Sequence, residues 1–266
     1  VALAMFVWSG GVLFAGVAEG GLLTATYLPG STGQLGNVLE SDDFSPLEEM
    51  FIHERDGQEV GITYISASTA ALRVLVDLRG ASNGGLAVIR GRVVFEALPG
   101  TSATHADVTL APSISGLLER NAGGAANWGS DILFVAGTPI SRVGFGVQGA
   151  GATPIDVVHS VTRTVELGVP VDFLVNLNAD VFAHNNPGDW ARADFANSLE
   201  FNPDAFFTIH TPGVTANSVD GDWLVNNRLA SANAEVPEPG SMALLATGLI
   251  GLRLFQRRQR TIATDC

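Results

Sequence analysis

Lysine is absent from this 266-residue chain and cysteine occurs once, as Cys266. Without lysine all 14 basic residues are arginine, which excludes the Lys–Asn isopeptide cross-links that staple some adhesin sandwiches. A single terminal thiol excludes an intrachain disulfide framework and a thiolate metal site, so the fold must rest on a packed core. Basic charge is also scarce. Against 27 acidic residues the 14 arginines leave a formal net charge of −13, and Arg253, Arg257, Arg258 and Arg260 are confined to the C-terminal end. The body that precedes them is therefore more acidic still. It repels nucleic acid and anionic headgroups, and it suits divalent cations or neutral glycans.

Catalytic patterns are missing as well. His53, His105, His159, His184 and His210 are scattered with no H-E-x-x-H spacing, and no G-x-S-x-G nucleophile elbow occurs. Gly144-Phe145-Gly146-Val147-Gln148-Gly149 fits G-x-G-x-x-G by letter. Dinucleotide binding needs a helix opening at the third glycine, whereas Gly151, Pro154 and a β-patterned stretch follow, so the segment reads as a glycine-rich strand and hairpin. Asn176-x-Asn178-x-Asp180 begins like a calcium loop, but Val181 and Pro187 stand where an EF-hand needs glycine and an acid. Its alternate polar residues are the wet face of a strand. Asp220-Gly221-Asp222 offers two carboxylates to Ca2+ or forms an ordinary turn. No other metal or cofactor is expected, and the chain reads as a non-enzyme. A secreted hydrolase would need a non-local carboxylate pair about 5–10 Å apart. Trp190, beside Asn185, Asn186 and Asp189, and Trp128 are candidate glycan contacts, the alternative for both being a ring that covers the core.

Alternation dominates what is present. Val171 to Ala183 places Val171, Phe173, Val175, Leu177, Ala179, Val181 and Ala183 on one face and Asp172, Asn176, Asn178 and Asp180 on the other. Val157–Leu167 and Ala191–Phe201 alternate similarly, and the short turns between the three predict an antiparallel meander. Further strands are expected at 22–28, 60–65, 72–78, 88–97, 131–136 and 143–147. Two short helices are expected: one opened by the capping-box pattern Ser45-Pro46-Leu47-Glu48 and closed by Gly57, and one over Ser113–Arg120. No internal repeat is evident. The predicted fold is all-β, an antiparallel two-sheet β-sandwich, jelly-roll-like, with one or two short helices and a single C-terminal hydrophobic helix.

The C-terminal end carries the most specific signal. Val236-Pro237-Glu238-Pro239 cannot continue a helix or a central strand. An apolar run from Ser241 to Phe255 follows, short of a full span of about 20 residues, and then Arg257-Arg258-Gln259-Arg260 as a membrane stop. Accessible motif, apolar stop and basic brake in that order resemble the PEP-CTERM sorting signal of Gram-negative bacteria, the substrate tail of the exosortase system. Ala193-Asp194-Phe195-Ala196-Asn197-Ser198-Leu199-Glu200-Phe201 resembles the A-D-F-x-N-T-L-x-F strand of such proteins, with Ser198 in place of threonine. Asn217-Ser218-Val219-Asp220-Gly221 with Val225-Asn226-Asn227 is similar to the segment that often precedes the signal.

The uncharged stretch Val1–Ala18 reads as the h-region of a truncated signal peptide. The organisation expected is thus 1–18 signal h-region, 19–235 extracellular β-sandwich domain, 236–260 sorting signal and 261–266 tail. The resemblance implies export, transient membrane retention through 242–255, and recognition of Pro237, Glu238 and Pro239 by an exosortase-like membrane transpeptidase. It implies a final place at the cell surface or in an exopolysaccharide-rich biofilm matrix. A carbohydrate-binding module of the envelope or matrix is the alternative role, with exopolysaccharide as the partner.

Overall fold

In a computed structural model of the chain the described residues are 22–29, 38–41, 44–55, 58–134, 138–183, 186 and 188–230. The expected signal segment 1–18 and the sorting tail 236–260 lie outside them. The elements in chain order are β1 (Leu22–Pro29), β2 (Val38–Ser41), β3 (Leu47–Arg55), β4 (Gln58–Ala67), β5 (Ala71–Arg79), β6 (Ser82–Ala97), β7 (His105–Leu110), β8 (Ser113–Arg120) and β9 (Gly124–Phe134). They continue as β10 (Ser141–Gln148), β11 (Gly151–Val158), β12 (Val161–Glu166), β13 (Pro170–Ala183), β14 (Trp190–Glu200), β15 (Thr208–Ile209), β16 (Val214–Ser218), β17 (Leu224–Val225) and β18 (Arg228–Leu229).

Two sheets lie face to face. Sheet A runs β10-β9-β13-β6-β1-β2, with β16 added beside β6, and sheet B runs β11-β8-β14-β5-β4-β3. Strand β13 packs over β5 and β14, β6 over β4 and β5, and β9 over β14 and β8. A small sheet C, β12-β7-β15, pairs with neither stacked sheet but buries Val108, Leu110 and Val161 in the same core, and β17-β18 is a separate hairpin. Every pairing is antiparallel, and the pairs β6–β13, β7–β12, β8–β11 and β9–β10 are nested about the β9–β10 connection. One long double strand is therefore folded over so that its successive paired segments fall into different sheets.

Period-2 sequence explains this architecture. In β5, Leu72, Val74, Val76 and Leu78 are fully buried while Arg73, Leu75 and Asp77 face outward and remain only partly covered. In β13 the predicted face, Val171 through Ala183 at every second position, is the buried one. These inward rows form one core. It ends, where β6 finishes, in an aromatic cluster: Phe95 lies 5.2 Å from Phe207, Phe134 5.5 Å from Phe207, and Phe173 5.7 Å from Trp223.

Three expectations are corrected. The helix expected from Ser45 to Gly57 is strand β3, and that over Ser113–Arg120 is strand β8; among the described residues there is no helix. Both strands carry residues that disguise alternation. Glu49 pairs with the core residue Ile65 and so points inward, and its Oε2 is buried without a partner. Gly116 and Arg120 occupy inward positions of β8, with Arg120 donating to the carbonyl of Gly151 and the hydroxyl of Thr153, both at 3.3 Å. Pairing with β-rich neighbours outweighs local propensity. The meander is also overturned. Strands β12, β13 and β14 belong to sheets C, A and B and none pairs with another. Short turn-like links carry the chain across the sandwich as readily as they close hairpins.

Candidate functional site

The described chain is tied off just ahead of the expected sorting tail. Asn226 and Asn227 have φ of 50° and 64° in the turn joining β17 to β18, a left-handed pair that asparagine tolerates. The Asn227 amide donates to the Ala216 carbonyl at 2.7 Å, and its side chain both donates to the Phe207 carbonyl at 2.7 Å and accepts from the Phe207 amide at 3.0 Å. The Ser218 hydroxyl accepts from the Leu224 amide at 3.2 Å, and Asn217 Oδ1 accepts from the Asn226 amide at 2.8 Å. Trp223, in the same segment, is buried against Phe44, Phe173 and Phe206. The segment that precedes the signal in sequence is thus a clasp over the aromatic end of the core. In the other motif, Ala193, Phe195, Leu199 and Phe201 are buried, and the register of β14 against β5 shifts between Phe195 and Leu199. Asp194 Oδ1 accepts from the Ala196 amide at 3.2 Å and so pins the start of that irregularity.

Trp128 is corrected as a glycan contact. It is 4% exposed, with Phe195 at 5.5 Å and Phe145 at 5.9 Å, and a buried indole presents no face to a sugar. Trp190 is 36% exposed at the opposite end of the sandwich from the aromatic cluster. Its polar neighbours are engaged: Asn121 bonds the Trp190 amide and the Gly188 carbonyl, and Asn186 donates to Asp189 at 3.1 Å.

The outer face of sheet A near that end is unlike the rest. Asp180 on β13 is paired with Gly84 of β6 on one side and Asn127 of β9 on the other, and Asn178 is paired with Gly129. A Cβ on Gly84 would lie 1.9 Å from Asp180 Oδ1, one on Gly129 2.6 Å from Asn178 Oδ1, and one on Gly146 2.0 Å from Asn127 Oδ1. Each polar side chain therefore lies flat across a bare glycine. Asn178 Oδ1 is buried without a partner. The Asp180 carboxyl, crowded against β6, is pushed by burial up to about 7, although part of the residue still meets solvent. The Asn-x-Asn-x-Asp residues do point to the outer side of the sheet, but that face is not the wet one expected, since Asn176 is 3% exposed and Asp180 is desolvated, and sequence reasoning misses the glycines under two of them. Those glycines come from separate segments, and only the register assembles them.

Two buried or half-buried histidines elsewhere make structural contacts. Buried His159 bridges Ser141 Oγ at 3.0 Å and Ser130 Oγ at 3.2 Å; burial lowers its pKa and Asp131 partly offsets this. Asp131 itself is taken by Arg142 Nε at 2.6 Å and Asn176 Nδ2 at 3.2 Å, so no acid orients this imidazole. His53, lowered by burial, contacts Thr63 Oγ1 at 2.9 Å and Asn83 Nδ2 at 3.2 Å. Among the described residues no group of three or more His, Cys, Asp or Glu is placed to hold a metal ion. Asp220 and Asp222 flank Gly221 in a bend with φ of 73° at the glycine. Pro237, Glu238, Pro239, Arg257, Arg258, Arg260 and the apolar run 242–255 lie outside the described residues, and no described helix is long and apolar enough to cross a membrane.

Residues 235–259 match the PEP-CTERM protein-sorting motif. The motif marks an exported protein handled at the membrane by exosortase-type processing machinery. No curated protein matches the chain. A solved structure of TmCBM61 in complex with β-1,4-galactotriose is 12% identical over 53% of this chain and 72% of its own, with a TM-score of 0.19. That score is too low for a shared fold.

Proposed function

We propose that this is a non-enzymatic cell-surface or biofilm-matrix protein of a Gram-negative bacterium, sorted by an exosortase-like transpeptidase. The match at 235–259 carries the reading. Pro237, Glu238 and Pro239 are the recognised motif; 242–255 holds the precursor in the inner membrane; Arg257, Arg258 and Arg260 stop its transfer. The body is an acidic jelly-roll sandwich, a label supported by the nested pairing of β6 to β13. It works by presenting a folded surface and needs no cofactor. Glu238→Ala tests the motif's role. The variant is expected to stay in the membrane fraction, whereas the parent leaves it; release of both at equal rate contradicts the assignment.

A second reading, a carbohydrate-binding role toward exopolysaccharide, is favoured by one observation: aromatic rings remain exposed at one end of the sandwich, Trp190 on one face and Phe182, 40% exposed, on the other.

A further inference from the structure

We propose that the outer face of sheet A around Asp180 is a subsite for a neutral oligosaccharide, formed by Asn127, Asn178 and Asp180 over a glycine floor with Phe182 as the stacking ring. The inference rests on the carbohydrate-binding reading and locates it. Its first support is unmet hydrogen-bonding capacity. The side chains of Asn127, Asn178 and Asp180 sit on neighbouring positions of β9 and β13 and make no hydrogen bond or ion pair among the described residues. Of the three, only Asn178 Oδ1 is shut off from solvent without a partner, while Asn127 and Asp180 are partly exposed and open to a ligand. At the Trp190 end the reverse holds, since Asn121, Asn186 and Asp189 already bond within the protein.

The second support is shape. Gly84, Gly129 and Gly146 remove the side chains that would otherwise stand on the face, and the polar groups lie down over them. What remains is a shallow floor that a flat ring can approach. Phe182 follows Asp180 on the same face of β13, paired with Ser82 and Ala125, and its ring is exposed. From Asn178 to Phe182 the row extends about 14 Å, which fits a short oligosaccharide. An apolar sugar face on the ring, with hydroxyls donating to the oxygens of Asp180 and Asn127 and accepting from the Asn178 carboxamide N–H, is the pairing these groups offer.

Charge selects the class. Among the described residues the patch holds one carboxyl group and no cation, and Arg142 further along β10 is tied to Asp131. Once ionised, above about pH 7, Asp180 repels an anionic glycan, and below that pH the patch is neutral and attracts none. A hard cation takes six or more oxygens, usually with several carboxylates, and this face supplies one.

Isothermal titration of the full-length chain in mild detergent, with hexaoses of β-1,4-glucose, β-1,4-mannose and β-1,3-glucose and a polygalacturonate hexamer for contrast, tests the proposal. Binding of at least one neutral hexaose is expected, weakened about tenfold by Phe182→Ala and by Asp180→Ala. Asp180→Asn, which keeps an acceptor oxygen, is expected to stay within about threefold, and Trp190→Ala to leave affinity unchanged. Binding lost in Trp190→Ala but kept in Phe182→Ala would overturn this site and keep the carbohydrate reading. No neutral hexaose bound, or binding of the anionic hexamer alone, would overturn the site and that second reading, leaving the sorting assignment intact.

Discussion

Replacing Asp180 by asparagine removes a titration and should change how stability depends on pH. In the folded chain burial raises this carboxyl from 3.8 to about 7. Between those two values the folded state holds a proton that the unfolded state has released. The group's contribution is therefore fully present below pH 3.8, declines as pH rises through the window, and is lost above about 7. One pKa unit corresponds to 1.36 kcal/mol, so the full shift amounts to about 4 kcal/mol of penalty at pH 8. The residue keeps some contact with solvent, which screens part of this, and about 2–4 kcal/mol is the expected range. Set against a typical domain stability of about 5–15 kcal/mol the effect is large. The replacing carboxamide has the same shape and no charge. Urea unfolding of parent and Asp180→Asn between pH 4 and 8 should give nearly equal stabilities at pH 4 and a variant more stable by about 2–4 kcal/mol at pH 8. His53 and His159, lowered by burial, slope the opposite way below pH 6.5, but they are common to both proteins and cancel in the difference. Parallel pH profiles would refute the claim that Asp180 is desolvated on that face.

Three further outcomes follow from the core and the clasp. Phe207→Ala opens a cavity where Phe95, Phe134, Phe173 and Phe206 meet and should destabilise by about 3–5 kcal/mol, read from the urea midpoint. Asn227→Gly keeps the left-handed turn but loses both side-chain bonds to Phe207, and about 1–3 kcal/mol should go with them; Asn227→Ala should lose more because φ is 64° there. His159 resists protonation, so folding stability should fall as pH drops below 6.5, and His159→Gln should flatten that decline in thermal melts from pH 7 to 5.

Strand positions are legible where side chains obey the two-residue period. β5 and β13 show this, because their inward residues are apolar without exception, and β6 shows it from Gly85 to Phe95, where they are apolar or glycine. β3 and β8 mislead because Glu49, Gly116 and Arg120 face inward, and Leu47, Met50 and Phe51 happen also to fit helical spacing. Partner choice is not legible at all. A link such as 184–189 has turn composition whether it closes a hairpin or, as between β13 and β14, moves the chain to the other sheet. The sorting tail is legible because its information is linear: motif, apolar run and arginines read in order. The patch at Asp180 is not, since Gly84, Gly129 and Gly146 become neighbours of Asp180, Asn178 and Asn127 only through register. Trp128 and Trp190 are indistinguishable by residue type, and only the facing of their strands separates the buried ring from the exposed one.

The most direct test of the sorting assignment is the mature C-terminus, read by intact-mass spectrometry of the full-length gene product from an exosortase-positive host and from its exosortase-deletion strain. Truncation near Pro237–Pro239 in the first strain alone is the predicted result. The same uncleaved tail in both strains would contradict it and leave 242–255 as a simple anchor.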